Sequence, residues 1–169
     1  MGLVIRKASG RDAAGILEYC RIIGSETDNL TFGSEGIAAS EDGERAFLEN
    51  ISSSDRSIYL VADLDGEIVG TCTYTGYDKE RLSHRGELSI SVKKSMWGRH
   101  IGTMLMEEVL SFAKNSAKAE IISLEVRSDN KRAAALYRKF GFRPIGTFTG
   151  FMKIGGKYID CDIFQLDLR

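Results

Sequence analysis

The sequence predicts a single α/β domain over residues 1–169, and three observations predict it. Short segments in which apolar and polar residues alternate, typical of half-buried strands, are interspersed with segments whose apolar residues recur at helical spacing. Two turn-forming pairs, Asp65-Gly66 and Gly155-Gly156, each separate two strand-like segments and favour hairpins. A chain of 169 residues is also long enough to bury one hydrophobic core. The predicted element order is β-α-α-β-β-β-α-β-α-β-β.

The first half of the chain predicts three strands and two helices. Ala14, Leu17 and Cys20 recur at helical spacing after the first strand. Residues 27–40 are acidic and contain glycines, which indicates a loop between the two helices. In order, the predicted elements are a strand from Leu3 to Ala8, helices from Arg11 to Ser25 and from Glu41 to Ile51, and strands from Ser57 to Asp63 and from Glu67 to Tyr77.

A strand, a glycine-containing loop and a helix follow in the middle of the chain. Apolar and polar residues alternate over 87–93, which predicts a half-buried strand. Gly98 and Gly102 free the backbone of the loop, and apolar residues recur at helical spacing from Ile101 to Phe112. Because a helix N-terminus offers unpaired N–H groups, a phosphate-bearing cofactor is expected here. The loop lacks the dinucleotide-binding and P-loop fingerprints, and an ordinary strand-to-helix turn is the alternative.

The last third repeats the strand-to-helix pattern and ends in a hairpin. A strand from Ala119 to Arg127 leads into Asn130, which is suited to cap a helix over 131–140. Tyr137 lies seven residues after Asn130, two turns along on nearly the same helix face. Gly141 then occupies the position where helices commonly end. Strands from Arg143 to Ile154 and from Lys157 to Leu168 complete the chain.

Composition excludes several classes of function. The net charge of −1 argues against a nucleic-acid partner, and no apolar run approaches the length of a membrane span. The first residues enter a strand pattern directly, so a signal peptide is not expected. Cys20, Cys72 and Cys161 are odd in number and widely spaced, which favours reduced thiols in the cytoplasm. His84 and His100 are the two histidines, and no metal site is expected.

Two segments together carry a family resemblance. They are Trp97-Gly-Arg-His-Ile-Gly102 after the middle strand, and Asn130-Lys-Arg-Ala-Ala-Ala-Leu-Tyr-Arg-Lys-Phe-Gly-Phe142. Their residues and spacing resemble the GNAT superfamily of acetyl-CoA-dependent N-acetyltransferases, strongly over residues 60–145 and elsewhere by element order. Trp97 stands where the family usually has Gln or Arg, and His100 where it usually has a glycine.

The resemblance implies a fold and a cofactor. The fold is a mixed, mostly antiparallel sheet of about seven strands, splayed between strands four and five and flanked by about four helices. The cofactor is acetyl-CoA, with its acetyl carbonyl and pantetheine on the backbone of the strand over 87–93 and its pyrophosphate on the amides of 99–103. The implied cofactor-binding residues are Ile90, Ser91, Val92, Trp97, Gly98, Arg99, His100, Ile101, Gly102, Thr103, Asn130, Ala133 and Tyr137. The alternatives for the His100 side chain are that it points to solvent, clashes with the pyrophosphate, or adds an imidazole N–H to the phosphate.

The resemblance also implies catalytic roles. Tyr137 is the candidate general acid, which would protonate the departing sulfur of CoA, and a tyrosine packed in the core is the alternative. Glu87 is the candidate general base, since it shares a strand face with Ser89 and Ser91. A solvated charge at the strand end is the alternative for Glu87, and His84 or a chain of water molecules can serve as base instead.

The predicted activity is N-acetyl transfer to a primary amine of a small molecule or peptide, directly within a ternary complex. A non-catalytic acyl-CoA-binding domain is one alternative. An interaction module that homodimerises through the open sheet edge of the last hairpin is another, and it is compatible with catalysis. Cys72 and Cys161 are expected outside the site, which argues against a cysteine intermediate. Acidic walls suit a cationic acceptor such as a polyamine, an aminoglycoside or a peptide N-terminus, or are solvated surface; they comprise Glu26, Asp28, Glu35, Asp160 and Asp162. Phe148 and Phe151 are expected to line a pocket or a dimer contact.

Overall fold

One mixed sheet of seven strands and four α-helices make up the part of the chain that the computed structural model describes, residues 2–169. The strands lie in the order β1-β2-β3-β4-β5-β7-β6, and β4 and β5 are the parallel pair. This confirms the predicted fold class and element order. The elements are β1 Leu3–Lys7, α1 Ala13–Glu26, α2 Glu41–Ser52, β2 Ser57–Leu64, β3 Glu67–Gly76, β4 Arg85–Val92, α3 Ile101–Asn115, β5 Ile121–Arg127, α4 Lys131–Lys139, β6 Arg143–Ile154 and β7 Lys157–Asp167.

The hairpin turns follow from residues that tolerate positive φ. Asp65 and Gly66 have φ of 52° and 94°, and Gly155 and Gly156 have φ of 55° and 79°. Two successive left-handed residues match the right-handed twist of the flanking strands, so the chain reverses without splaying the pair. Both predicted hairpins, β2–β3 and β6–β7, are therefore confirmed.

The sheet opens between β4 and β5. Their parallel register covers three pairs, which join Arg85–Glu87 to Ile121–Ser123. Beyond Glu87 the two strands diverge, and each continues to pair only with its other neighbour, β3 or β7. The fourth strand begins two residues earlier than predicted because Arg85 and Gly86 belong to this paired segment. The implied splay between strands four and five is confirmed.

Helices cover both faces of the sheet and leave the splay open. On one face, Leu105 and Val109 of α3 pack with Ile122 and Leu124 of β5 in the larger core cluster. On the other face, α1 and α2 pack over the β2–β3 side of the sheet in a second cluster. Since each face buries apolar side chains against helices, the opening between β4 and β5 lies within a rigid frame. Among residues 2–169, no helix is long and apolar enough to cross a membrane.

A charged network fixes the entry into α1. The predicted helix start at Arg11 falls instead in a short 3₁₀ turn, Gly10–Asp12, before α1 begins at Ala13. Asp12 accepts hydrogen bonds from the backbone N–H of Ser9 at 2.8 Å and from Arg6 at 2.8 and 2.9 Å. Asp63 accepts further hydrogen bonds from the same guanidinium. The Arg6 side chain holds the pKa of Asp12 down at about 2.

This network predicts acid-sensitive stability. A carboxyl whose pKa is lowered in the folded state stabilises that state above its ordinary pKa, and the stabilisation is lost as pH falls towards the folded-state pKa. We therefore expect the wild-type free energy of unfolding to lose roughly 2 kcal/mol between about pH 4 and pH 2 through this group. Urea denaturation across this range should give a shallower pH dependence for Asp12→Asn. Equal pH dependence in the two proteins would contradict the assignment.

Candidate active site

A cavity of about 490 Å³ lies where β4 and β5 diverge. Its walls are residues 88–92 of β4, the loop and first turn of α3, the end of β5 and one face of α4. The end of α1 with the loop that follows it, and the last hairpin, close the other side. The two motifs singled out in the sequence therefore face each other across one space, because the splay separates the strands that precede them.

The loop into α3 has the conformation that a helix-terminal anion site requires. Gly98 and His100 adopt φ of 78° and 61°, and the 15-residue helix α3 begins at Ile101. These two left-handed residues turn the chain so that the first amides of α3 lie at the cavity wall. Arg99 is not part of the wall. The other predicted cofactor residues all line the cavity: Ile90, Ser91, Val92, Trp97, Gly98, His100, Ile101, Gly102, Thr103, Asn130, Ala133 and Tyr137.

Asn130 caps α4, as its position in the sequence predicts. Its side-chain oxygen accepts a hydrogen bond from the Ala133 N–H at 3.1 Å. On the facing helix, a Cβ at Gly102 would stand 3.2 Å from the Leu136 side chain. Glycine at this position therefore lets the N-terminal turn of α3 approach α4 closely.

Trp97 bridges the two halves of the splayed sheet. Its indole N–H donates a hydrogen bond to the Val92 carbonyl of β4 at 3.0 Å. The Arg132 guanidinium, on α4, lies 4.5 Å from the centroid of its ring. Such a cation–π contact stabilises the pair modestly at a partly exposed site. The departure from the family pattern at Trp97 thus has a structural role, since the side chain connects the β4 side of the cavity to α4.

Tyr137 is almost completely buried, with 6% of its surface exposed, yet it lines the cavity. Its ring packs against Phe142 and Phe164, with centroid distances of 6.0 and 6.1 Å. Within residues 2–169 the hydroxyl has no hydrogen-bond partner, and burial raises its pKa. A protonated, unpartnered hydroxyl in a cavity wall is equipped to donate a proton to a bound group.

Glu87 and His84 lie outside the cavity wall. Glu87 is exposed on β4, and its carboxylate accepts a hydrogen bond from the Tyr77 hydroxyl. His84 precedes β4, and its carbonyl accepts the N–H groups of Glu120 and Ile121 at the opposite end of the strand. Both residues lie outside the cavity wall because β4 and β5 stay paired as far as Glu87. On β4, the cavity lining begins at Leu88.

Glu125 on β5 is a carboxylate that the sequence interpretation missed. It is exposed and lines the cavity, and within residues 2–169 no ion pair involves it. The signal was present in the strand pattern, because Glu125 alternates with the buried Leu124 and Val126. Its position two residues past the paired segment is what brings it to the cavity.

The acidic residues that were expected to form the acceptor walls are mostly engaged in holding loops. Glu35 accepts from the Gly33 N–H, Asp160 from the Gly150 N–H, and Asp162 from the Thr147 hydroxyl. These three and Asp28 do not line the cavity, and Glu26 does. Acidic walls made of these five residues are therefore not formed, and the alternative of a solvated surface describes the four that lie outside the cavity wall.

The loop after α1 is tied to both halves of the splayed sheet. The Glu26 carboxylate accepts a hydrogen bond from the Lys94 N–H at 2.9 Å, on the β4 side. On the β5 side, Arg127 donates to the Asp28 carbonyl at 3.3 Å. A Cβ at Gly24 would lie 1.9 Å from the Gly33 carbonyl, so the loop folds directly against α1. These contacts hold the loop in place as one wall of the cavity.

Cys161 lies in the cavity wall, contrary to the sequence-based prediction. It was expected outside the site, but it lines the cavity on β7, opposite Arg127 in the strand register. It is only 2% exposed, and burial raises the pKa of its thiol. A thiol with a raised pKa carries little thiolate at neutral pH and is a weak nucleophile. The thiol state therefore still argues against a cysteine intermediate.

His100 predicts a stabilising substitution. A non-glycine residue at φ of 61° is strained, so we expect His100→Gly to raise the free energy of unfolding by about 0.5–1 kcal/mol. Lys118→Gly is the matched control, because Lys118 has φ of 55° and lies outside the cavity. Urea denaturation measures both variants. Calorimetric titration should show unchanged acetyl-CoA affinity for His100→Gly, and a gain confined to this variant would mean that the imidazole obstructs the loop.

Comparison with known proteins agrees with this geometry. The model of the GNAT acetyltransferase family matches residues 26–142. The L-amino acid N-acetyltransferase AaaT of Escherichia coli is 33% identical over 101 residues, 60% of this chain and 62% of that protein. The N-alpha-acetyltransferase RimI of Mycobacterium tuberculosis is 38% identical over 107 residues, 62% of this chain and 63% of that protein. Each match thus spans less than two thirds of the relative's length.

Solved structures extend the likeness over nearly the whole chain. A GNAT-family acetyltransferase from Streptococcus pneumoniae superimposes with a TM-score of 0.94 at 32% identity, covering 98% of this chain and 99% of that one. A phosphinothricin acetyltransferase from Sinorhizobium meliloti, solved in complex with acetyl-CoA, has the same fold. It superimposes with a TM-score of 0.78 at 21% identity and covers 99% of this chain and 89% of that one. The chain belongs to the GNAT family of acetyltransferases, whose acetyl donor is acetyl-CoA.

Proposed function

We propose that this protein transfers the acetyl group of acetyl-CoA directly to a primary amine of a small molecule or peptide, with both substrates bound at once. The observation that carries the proposal is the Tyr137 hydroxyl. It is nearly buried, protonated and without a hydrogen-bond partner within residues 2–169, and it lines the cavity that the N-terminus of α3 also lines. A protonated hydroxyl that reaches the cavity is placed to donate to a group bound there.

The residues present fit acetyl-CoA. The first amides of α3 suit the pyrophosphate, and Gly98 lets the loop approach it without a side chain. The β4 backbone beyond Glu87 no longer pairs with β5, so its polar groups on that side suit the amides of pantetheine. When bound, acetyl-CoA supplies the thioester that an amine attacks.

The reaction needs two proton transfers, and a different side chain is suited to each, Glu125 to the first and Tyr137 to the second. Glu125 is suited to take the proton of the acceptor ammonium, since an amine must be neutral to attack a carbonyl. Tyr137 holds a proton at its hydroxyl oxygen for the departing sulfur. Because burial raises the pKa of Tyr137, that proton is retained at neutral pH. We prefer Glu125 to Glu87 as base because Glu125 lines the cavity.

Two further assignments concern the setting of the enzyme. Cys20, Cys72 and Cys161 are buried thiols, which supports a reducing, cytoplasmic compartment. The last hairpin also carries two exposed aromatic side chains: 52% of the Phe148 surface and 71% of the Tyr158 surface are exposed. Such exposed apolar groups support a homodimer contact at this hairpin. Size-exclusion chromatography with light scattering tests the dimer.

The test of the activity begins with calorimetric titration of the protein with acetyl-CoA, with CoA and ATP as controls. Selective binding of the two CoA compounds, followed by release of free thiol when an amine is added, is the expected result. Binding of acetyl-CoA without turnover on any amine would instead make the protein an acyl-CoA-binding domain. Failure to bind would exclude both functions.

A further inference from the structure

The part of the cavity wall that comes from α1, the loop after it and β6 is rich in apolar side chains. We call this part the apolar chamber and define it by Ile23, Leu30, Phe32, Phe151 and Met152. Four of the five are partly exposed although they are large and apolar. Partly exposed apolar side chains that converge on one concavity indicate an apolar ligand group, since scattered exposure would need no partner.

Most charged side chains near the apolar chamber already contact other protein groups. Glu26 accepts the Lys94 N–H, and the Arg127 guanidinium is paired with Asp129 at 2.7 Å. The polar residues of the loop wall are uncharged: Thr27, Asn29 and Thr31. Arg132 also lines the cavity, with its guanidinium against the Trp97 ring. Of the two carboxylates in the wall, Glu26 accepts the Lys94 N–H, and Glu125 has neither an ion pair nor a hydrogen bond within residues 2–169. One carboxylate suits one ammonium, whereas a polyamine or aminoglycoside brings several that would be desolvated here without partners.

From these two observations we infer that the acceptor carries an α-ammonium group beside an apolar side chain, with the ammonium on Glu125 and the side chain in the apolar chamber. This rests on the proposed acetyl transfer and names its substrate class. The same chemistry occurs in a free apolar amino acid and in the first residue of a peptide that begins with one. The wall formed by residues 27–32 is anchored at Glu26 and Asp28, so the chamber is in place before an acceptor arrives.

The experiment measures kcat/KM for a matched panel of acceptors by thiol release. The panel contains leucine, methionine and phenylalanine, a peptide beginning with leucine, glycine, spermidine and an aminoglycoside. We expect leucine or the leucine peptide to exceed glycine by at least about tenfold, the scale on which hydrophobic pockets discriminate, and spermidine to be no better than glycine. A higher value for free leucine or for the peptide identifies the source of the α-ammonium.

A pair of variants isolates the chamber. Phe151 lines the cavity, whereas its neighbour Phe148, whose ring centroid is 5.2 Å away, does not. Phe151→Ser should reduce the leucine-to-glycine ratio of kcat/KM about tenfold, and Phe148→Ser should leave it unchanged. The inference is overturned if spermidine or glycine is the best acceptor, or if both variants lower the ratio equally, and acetyl transfer itself would still stand. Absence of thiol release with every amine would overturn the proposed function and the inference with it.

Discussion

Replacing Tyr137 with Phe should lower kcat by about 100-fold or more while the affinity for acetyl-CoA stays nearly unchanged. The substitution removes one hydroxyl from a wall that otherwise keeps its packing against Phe142 and Phe164. General acid catalysis contributes roughly 10²–10⁴-fold to a rate, and the loss should fall on the step in which sulfur departs. Steady-state kinetics give kcat, and calorimetric titration gives the dissociation constant.

Tyr74→Phe is the matched control for this prediction. Tyr74 is 1% exposed, and burial raises its pKa as it does for Tyr137, but it does not line the cavity. Removal of the Tyr74 hydroxyl should leave kcat unchanged.

The raised pKa of Tyr137 also predicts the pH dependence of the wild-type enzyme. Because the hydroxyl keeps its proton, kcat should not decline through loss of the general acid up to about pH 10. Equal turnover of Tyr137→Phe and wild type would remove this residue from the mechanism.

The second large effect is expected for Glu125→Gln. Glutamine keeps the size of the side chain but cannot accept a proton from the acceptor ammonium. We expect kcat/KM for the amine to fall by about 100-fold near neutral pH. The deficit should shrink as the pH approaches the pKa of the acceptor, because the free amine is then already neutral. The pH profile of kcat/KM, measured for both proteins, tests this.

Glu87→Gln serves as the control for the base. Glu87 lies on the neighbouring strand, carries the same side chain and is held by the Tyr77 hydroxyl outside the cavity wall. Its substitution should change kcat/KM less than threefold. The opposite result, a large loss for Glu87→Gln and none for Glu125→Gln, would restore the base predicted from the sequence. A loss that does not diminish at high pH would indicate a structural role for Glu125.

Local patterns were sufficient for much of this molecule. Positive-φ pairs at Asp65-Gly66 and Gly155-Gly156 set both hairpins, and the capping side chain of Asn130 set the start of α4. Each of these depends on a few neighbouring residues, so the sequence contains all of the relevant physics. The same is true of Tyr137, whose place on α4 follows from its distance to Asn130.

Which strand residues reach the cavity was decided only by the tertiary structure. The alternation on β4 correctly placed Glu87 and Ser91 on one face, but only Ser91 lies beyond the point where β4 and β5 separate. That point depends on pairing between segments about 36 residues apart and on the helices packed over them, so no local pattern encodes it. The same divergence brought Glu125 and Cys161 into the cavity wall. The sequence alone therefore determined the elements, the family and the cofactor motifs, and the splay of the sheet decided which side chains face the reaction.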